Sequence, residues 1–343
     1  MALSRKTIVQ AKVETTYATD PTVGTGDVRL VRNWQWTPNV TMYNRAVMSG
    51  SATPFRSPIK GQKWCSMSFS QYLTGSGLAT PFSANTELAM SSVFLQGCGL
   101  SATHSADQWD YALLDSGFSG VSFEWNRDGV FYESRGAMGN AVLVFTPGAP
   151  VDVEYSFLGL WNHGTGQANN DSPYDAALIT PDFSGEIDPA LWISSGFDPW
   201  NTEPATVAAF EHCRSLRLDL RNSVSPRASG TVATHGVAAI NLNPRGTADD
   251  AGIGFVMEIE AADDDYWAEF MAGTDSRTAL SAASDTSSWG SVAGNVWTMV
   301  IYNMALSQAP EDITFDDGVA GYRLTGRLLG TSGGLDEWTL QVD

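Results

Sequence analysis

Histidine, cysteine and lysine are all scarce in this chain, and each scarcity excludes something. Four histidines occur among 343 residues: His104, His163, His212 and His235. No two are spaced i, i+4 and none sits in H-E-x-x-H, so no zinc-protease helix is encoded. They read as lone polar histidines in loops rather than as catalytic bases. The three cysteines, Cys65, Cys98 and Cys213, are odd in number and lack C-x-x-C spacing. That argues against a disulfide framework and a zinc site, and they read as reduced, partly buried thiols of a protein made in a cytoplasm. A phosphate-cradling G-x-x-x-x-G-K is missing, and no nucleophile elbow is read. No stretch approaches the roughly 18 apolar residues that a membrane helix needs. The start, Met1-Ala2-Leu3-Ser4-Arg5-Lys6, carries charge without a following apolar run, so no secretory signal is expected.

Hydrophobic residues make up 43% of the chain, enough for a sizeable core, and 33 glycines and 12 tryptophans accompany them. Val, Thr, Ile, Trp, Tyr and Phe are spread along the whole length, which points to an all-β class. The net charge is −19 and it is unevenly placed. Residues 1–106 hold nine Lys and Arg against four Asp and Glu, whereas residues 107–343 hold ten against 34. All four lysines (Lys6, Lys12, Lys60, Lys63) lie in the first 63 residues. A basic face that meets an acidic face on another copy fits this division. The acidity argues against a protein that grips a duplex, because phosphates need Lys and Arg. It allows one that lets nucleic acid slide past.

Along the chain, residues 1–27 read as a polar, turn-rich lead-in. Residues 28–37 alternate (Val28, Leu30, Arg32, Trp34, Trp36) and predict a strand. Residues 38–62 read as a long loop, since Pro38, Gly50, Pro54, Pro58 and Gly61 oppose a continuous ladder. Its apolar residues indicate that it packs on something. A second strand is expected at 64–73, and a helix from Glu87 to Gly99 that Gly97 and Gly99 stop. A hairpin turning at Asp128-Gly129 is expected over 120–133, then a strand pair at 140–146 and 151–160. Residues 162–207 read as a linker or insertion rich in Gly, Asn, Asp, Ser and Pro.

The pattern then restarts. Leu216, Leu218 and Leu220 alternate with charged residues, a second irregular stretch covers 223–250, and Phe255, Met257 and Ile259 alternate again. A short helix is expected from Tyr266 to Ala272, and strands at 296–302, 311–317 and 320–329. Leu143-x-Phe145-x-x-Gly148 matches Ile313-x-Phe315-x-x-Gly318, each preceding a strand. The same order of elements thus occurs twice, which predicts a duplication.

Several constellations could carry chemistry. Asp263, Asp264 and Asp265 with Glu269 could hold a hard cation, but acids ahead of Tyr266 fit helix capping better, and the spacing is not that of an EF-hand. Glu124 and Glu133 flank the hairpin and could pose as a glycosidase pair; exposed hairpin carboxylates are the plainer expectation. Trp34, Trp36 and Trp125 could stack a sugar, but core or interface packing is the commoner role. No catalytic, metal or cofactor-binding residue is therefore assigned, and no enzyme activity is expected.

With these elements in place, the sequence resembles the tail tube proteins of long, flexible-tailed bacteriophages. The likeness rests on the Glu14-Thr15-Thr16-Tyr17-Ala18-Thr19-Asp20-Pro21 lead-in, the Val28-Arg29-Leu30-Val31-Arg32-Asn33 strand and the Phe94-Leu95-Gln96-Gly97-Cys98-Gly99 helix end. It also rests on the closing Tyr155-Ser156-Phe157-Leu158-Gly159-Leu160-Trp161 strand, and is clearest over residues 13–161. The resemblance implies a β-sandwich or open barrel with one flanking helix. The repeat, where this chain departs from the simplest family members, adds a second, giving an all-β fold with minor helix in two tandem tail-tube-type β-sandwich or barrel domains, each with a flanking helix. The first would span 1–161 and the second 208–343, with 162–207 between them. Copies would pair edge to edge into rings, stack into the tube of a virion tail made in a bacterial cytoplasm, and pass DNA through a lumen without specific binding.

Three chains with duplicated domains would give a pseudo-sixfold ring, whereas six chains would be needed if 208–343 were a decorating outer domain. The expected partners are other copies, and the tape measure, terminator and distal tail proteins, with no membrane and no cofactor. The loop 38–62 would reach the next ring through Met42, Tyr43, Arg45, Met48, Phe55, Arg56, Ile59 and Lys60, and 223–250 would be its counterpart. Other readings remain: a baseplate, terminator or decoration protein, or a carbohydrate-binding β-sandwich.

Overall fold

The alternating stretches form antiparallel strands, and most of them join one sheet. The computed structural model describes residues 7–19, 21–44, 58–75, 91–105, 108–127, 130–161, 190–191, 213–228, 237–245, 252–260, 267, 270–271, 277–278, 287–290, 295–301, 303–329 and 337–342. In the first part of the chain lie β1 (Thr7–Val13), β2 (Val28–Arg29), β3 (Arg32–Tyr43), β4 (Ile59–Tyr72), α1 (Ser92–Gly97), β5 (Leu100–Ser105), β6 (Gln108–Leu113), β7 (Val121–Arg127), β8 (Val130–Phe145) and β9 (Asp152–Trp161). The second part adds β10 (Cys213–Asp219), β11 (Ser223–Ala228), β12 (Val237–Asn243), β13 (Gly254–Glu260), β14 (Arg277–Thr278), β15 (Ser287–Trp289), β16 (Trp297–Ile301), β17 (Asn303–Leu306), β18 (Glu311–Thr314), β19 (Ala320–Leu329) and β20 (Trp338–Val342). Among the described residues the fold is all-β with minor helix, as the residue pattern predicts.

The large sheet contains a continuous run in the order β3-β4-β9-β8-β10-β13-β19-β18. Strand β8 is the branch point. Its first half pairs with β7, which continues to β1 and β2, and its second half pairs with β10, with Leu216 opposite Phe145 and Leu218 opposite Leu143. A five-stranded sheet, β15-β16-β20-β6-β5, mixes strands from both parts of the chain. The two sheets share one apolar core running from Val9 to Val342, in which Phe145 meets Trp289 edge-on at 5.8 Å. Helix α1 is sealed into this core: Phe94 touches Phe69, Tyr155 and Phe123 at ring distances of 4.8, 5.3 and 5.8 Å. It ends where the Cys98 amide reaches back to the Phe94 carbonyl and Gly99 turns to φ +83°. Residues 87–90 of the expected helix lie outside the described residues.

Several expectations need correction. The lead-in is not wholly irregular, since β1 lies in it; Val9 and Ala11 alternate into the core. The stretch 38–62 is not a loop through its length: β3 runs on to Tyr43, β4 starts at Ile59, and the ladder between them passes through Pro38 opposite Cys65. Pro38 is tolerated because β3 is an edge strand that pairs with β4 alone, so its missing N–H can face outward. Likewise 223–250 contains the hairpin β11–β12, with Pro226 opposite Ile240. The hairpin at 120–133 and the strand at 140–146 share one strand, β8, which continues past Gly136 at φ +57° and an irregularity between Arg135 and Met138. Within 162–207, the described residues include Leu191, bridged to Pro150.

The order β3-β4-β9-β8 and the order β10-β13-β19-β18 are the same pairing scheme used twice. Met67 and Met257 occupy matching places, opposite Phe157 and Leu324, and Gly159 and Gly326 follow two residues on. The best sequence match does not map onto one orientation. Leu143 and Phe145 are fully buried, whereas Ile313 lies opposite Gly321 on the face of Arg323, and Phe315 packs beneath Arg214.

Candidate functional site

The β3–β4 hairpin extends past the core as an arm, and apolar side chains gather at its far end. Met42 sits opposite Lys60 and Tyr43 opposite Ile59. Met42, Tyr43 and Ile59 are 49%, 56% and 50% exposed, although they are large and hydrophobic. Tyr43 lies over Gly61, where a Cβ would overlap its ring. An exposed apolar cluster on a projecting strand pair is what an interface needs before it is covered. Of the eight residues proposed from sequence, the structure brings together Met42, Tyr43, Ile59 and Lys60. Arg45, Met48, Phe55 and Arg56 lie outside the described residues.

The corresponding hairpin β11–β12 is already seated. Ile240 and Leu242 pack with Met138, and Tyr17, Phe118, Leu158, Leu160 and Val224 close around them. Asn222 fixes its root: its side-chain amide donates to the Cys98 carbonyl at 2.6 Å, and its backbone N–H donates to Asn140 Oδ1 at 2.9 Å. Sequence reading missed this site, because its residues come from seven separate stretches of chain.

Strand edges are the second feature. Among the described residues, β3 pairs with β4 alone and β18 with β19 alone, so the eight-strand run ends in two open ladders. Such edges invite another strand. Between β3 and β1 lies a groove of about 780 Å³ lined by Trp34, Trp36, Trp125 and Tyr132. Its rings pack on one another, Trp34 and Trp36 lying 5.5 and 5.4 Å from Trp125 at 58°, and so present no flat strip. The tryptophans are core and half-buried packing groups.

The carboxylate pair behaves differently from expectation. Glu124 and Glu133 stand directly opposite each other on β7 and β8, but Glu133 is 3% exposed and ion-paired with Arg135. It is therefore not an exposed hairpin carboxylate, and neither residue lines a described groove. Asp263, Asp264, Asp265 and Glu269 lie outside the described residues, as do His163, His212 and His235. His104 rests edge-on against Trp109. Among the described residues no cluster of three metal-ligating side chains forms, and no helix is long and apolar enough to cross a membrane. Cys65, Cys98 and Cys213 are all buried and unbridged. Gly330-Thr331-Ser332-Gly333-Gly334 does spell G-x-S-x-G, contrary to the sequence reading. It lies in the chain between β19 and β20, outside the described residues.

No protein-family model matches the chain, and no curated protein is significantly similar to it.

Proposed function

We propose that this chain is a self-assembling structural subunit that stacks as rings into the tail tube of a long-tailed bacteriophage. The observation that carries the reading is the eight-strand run built from one four-strand scheme used twice. Within the chain, the last strand of the first set, β8, pairs with the first strand of the second set, β10. The same kind of junction between β18 of one copy and β3 of the next would cover both open edges. Repeated three times it would close a barrel around a channel, with pseudo-sixfold symmetry from three chains. The arm carrying Met42, Tyr43 and Ile59 then supplies the contact between rings, and passing DNA meets an acidic subunit of net charge −19.

End-on electron microscopy of the purified protein at high concentration tests this. Rings or tubes with threefold symmetry are expected. True sixfold rings would keep the tube and discard the duplication. Dispersed monomers at every concentration, even with preformed tail tips as seeds, would overturn the proposal.

A further inference from the structure

One face of the eight-strand run covers the core; the other is polar apart from Met138, Leu158 and Leu160, on which the β11–β12 hairpin sits, and several of its charges are paired. On the side of β3, β4, β9 and β8 this second face carries the uncharged Gln35, Thr37, Ser66, Ser68, Ser156 and Asn140, with Glu154 and the Arg32–Asp152 ion pair beside them. Towards β10, β13 and β19 it carries arginines, of which Arg214, Arg217 and Arg323 each have a carboxylate partner, while Arg327 stands exposed further along β19. Arg217 donates to Glu154 at 2.7 Å across the intervening β8. Arg323 is held by three donors: Nε and Nη2 on Glu258 at 3.1 and 2.9 Å, and Nη1 on Glu311 at 3.0 Å. Arg214 is bound by Glu260 and by Asp317, the latter at 2.7 Å. Hydrogen bonds to Glu258 and then Glu311 raise the Arg323 guanidinium above its ordinary range. Lysine is absent beyond residue 63, so every cation in this half of the run is an arginine, whose planar fork a carboxylate can hold in register.

These groups remain in solvent: Arg217 and Glu154 are 47% and 50% exposed. Surface pairs of this kind contribute little to stability, with a median of about 0–1 kcal/mol. Their arrangement has another consequence. A free arginine on a channel wall gains phosphate contacts, and three chains with two free arginines each would offer about six per ring, the scale of a complete nonspecific DNA site. An arginine already held by carboxylates has fewer donors to spare and carries a compensating charge beside it.

We infer that this second face of the run lines the channel, and that Glu154, Glu258 and Glu311 serve to hold Arg217 and Arg323 so that double-stranded DNA passes without binding. The identity of the passing polyanion rests on the tail-tube reading; the residue assignment rests on the ion pairs.

The test is a fluorescence-anisotropy titration of the full chain with a labelled duplex of about 30 bp in about 50 mM salt. The parent is expected to show no saturable binding. The E154Q/E258Q/E311Q variant is expected to bind at least about tenfold more tightly, with an affinity that falls as salt rises. Adding R217Q/R323Q should remove the gain. A triple variant that melts like the parent and binds duplex no better overturns the assignment.

A second arm places the face. Since the native cysteines are buried, Ser68→Cys and Ser156→Cys report cleanly. Both should react with a bulky maleimide in dispersed subunits and be shielded from it in tubes. Full reaction in tubes overturns the assignment. Failure of the parent to form tubes strikes instead at the tail-tube reading, and the duplex titration still decides the role of the carboxylates.

Discussion

The Tyr17 hydroxyl accepts the Ile240 amide hydrogen at 2.6 Å and donates to the Gly136 carbonyl at 3.1 Å. One phenol thus ties the lead-in, the bend of β8 and the seated hairpin β11–β12. Tyr17→Phe keeps the ring and leaves a part-buried N–H without its acceptor, at a cost of about 1–2 kcal/mol. Chemical denaturation should register the loss, and hydrogen exchange at Ile240 should quicken. An unchanged midpoint and unchanged exchange would show that the hydroxyl is not a clamp.

Alkaline pH should undo the same region. Burial, opposed by the Ile240 hydrogen bond and reinforced by Glu14, pushes Tyr17 from 10.0 to about 12. Burial likewise pushes the Cys65 thiol from 9.0 to about 11. Both groups are held in their neutral, protonated form by the fold. Their contribution is complete below about pH 9 and is lost as pH rises through about 11 and then 12. Urea midpoints measured across that window should fall steadily, and Tyr17→Phe should remove the upper part of the fall. A flat profile above pH 9 would contradict the assignment.

Gly159 and Gly326 sit at matching places but should differ in tolerance. A Cβ on Gly326 would overlap the Ala305 backbone carbonyl, which cannot move without breaking the β17–β19 ladder. One on Gly159 would meet the Ser134 hydroxyl. Gly326→Ala is expected to destabilise by about 2–3 kcal/mol. Gly159→Ala should be partly rescued by Ser134→Ala. Equal costs and no rescue in thermal melts would refute this.

The arm offers a separation of folding from assembly. Met42→Gln, Tyr43→Ser and Ile59→Thr combined touch half-exposed positions, so stability should stay within about 0.5 kcal/mol for each change. Tubes should nevertheless disappear from electron micrographs, as they should on deletion of residues 42–58. Normal tube growth by either variant would show that the arm is not the stacking contact.

Much of this architecture was legible along the chain. Leu216, Leu218 and Leu220 alternate in sequence and are all buried. Gly99 marked the helix end, and Arg127 stands opposite Val130 as Asp128-Gly129 between them predicted. The arm was misread because Pro38 breaks an inner strand but not an edge strand, and position in a sheet is not a local property. Four of the eight arm candidates come together for the simplest reason, that they are cross-strand neighbours.

The sequence by itself determined the strand content, the apolar faces and the division of charge, because period-two alternation and composition act over a few residues. Only the tertiary structure decided who pairs with whom. That β8 takes β10 as its second partner, and that Arg323 finds Glu258 and Glu311, depends on edges and faces meeting across long stretches of chain. Backbone hydrogen bonds are the same for every strand, so the choice falls to which buried surfaces fit once the core has formed.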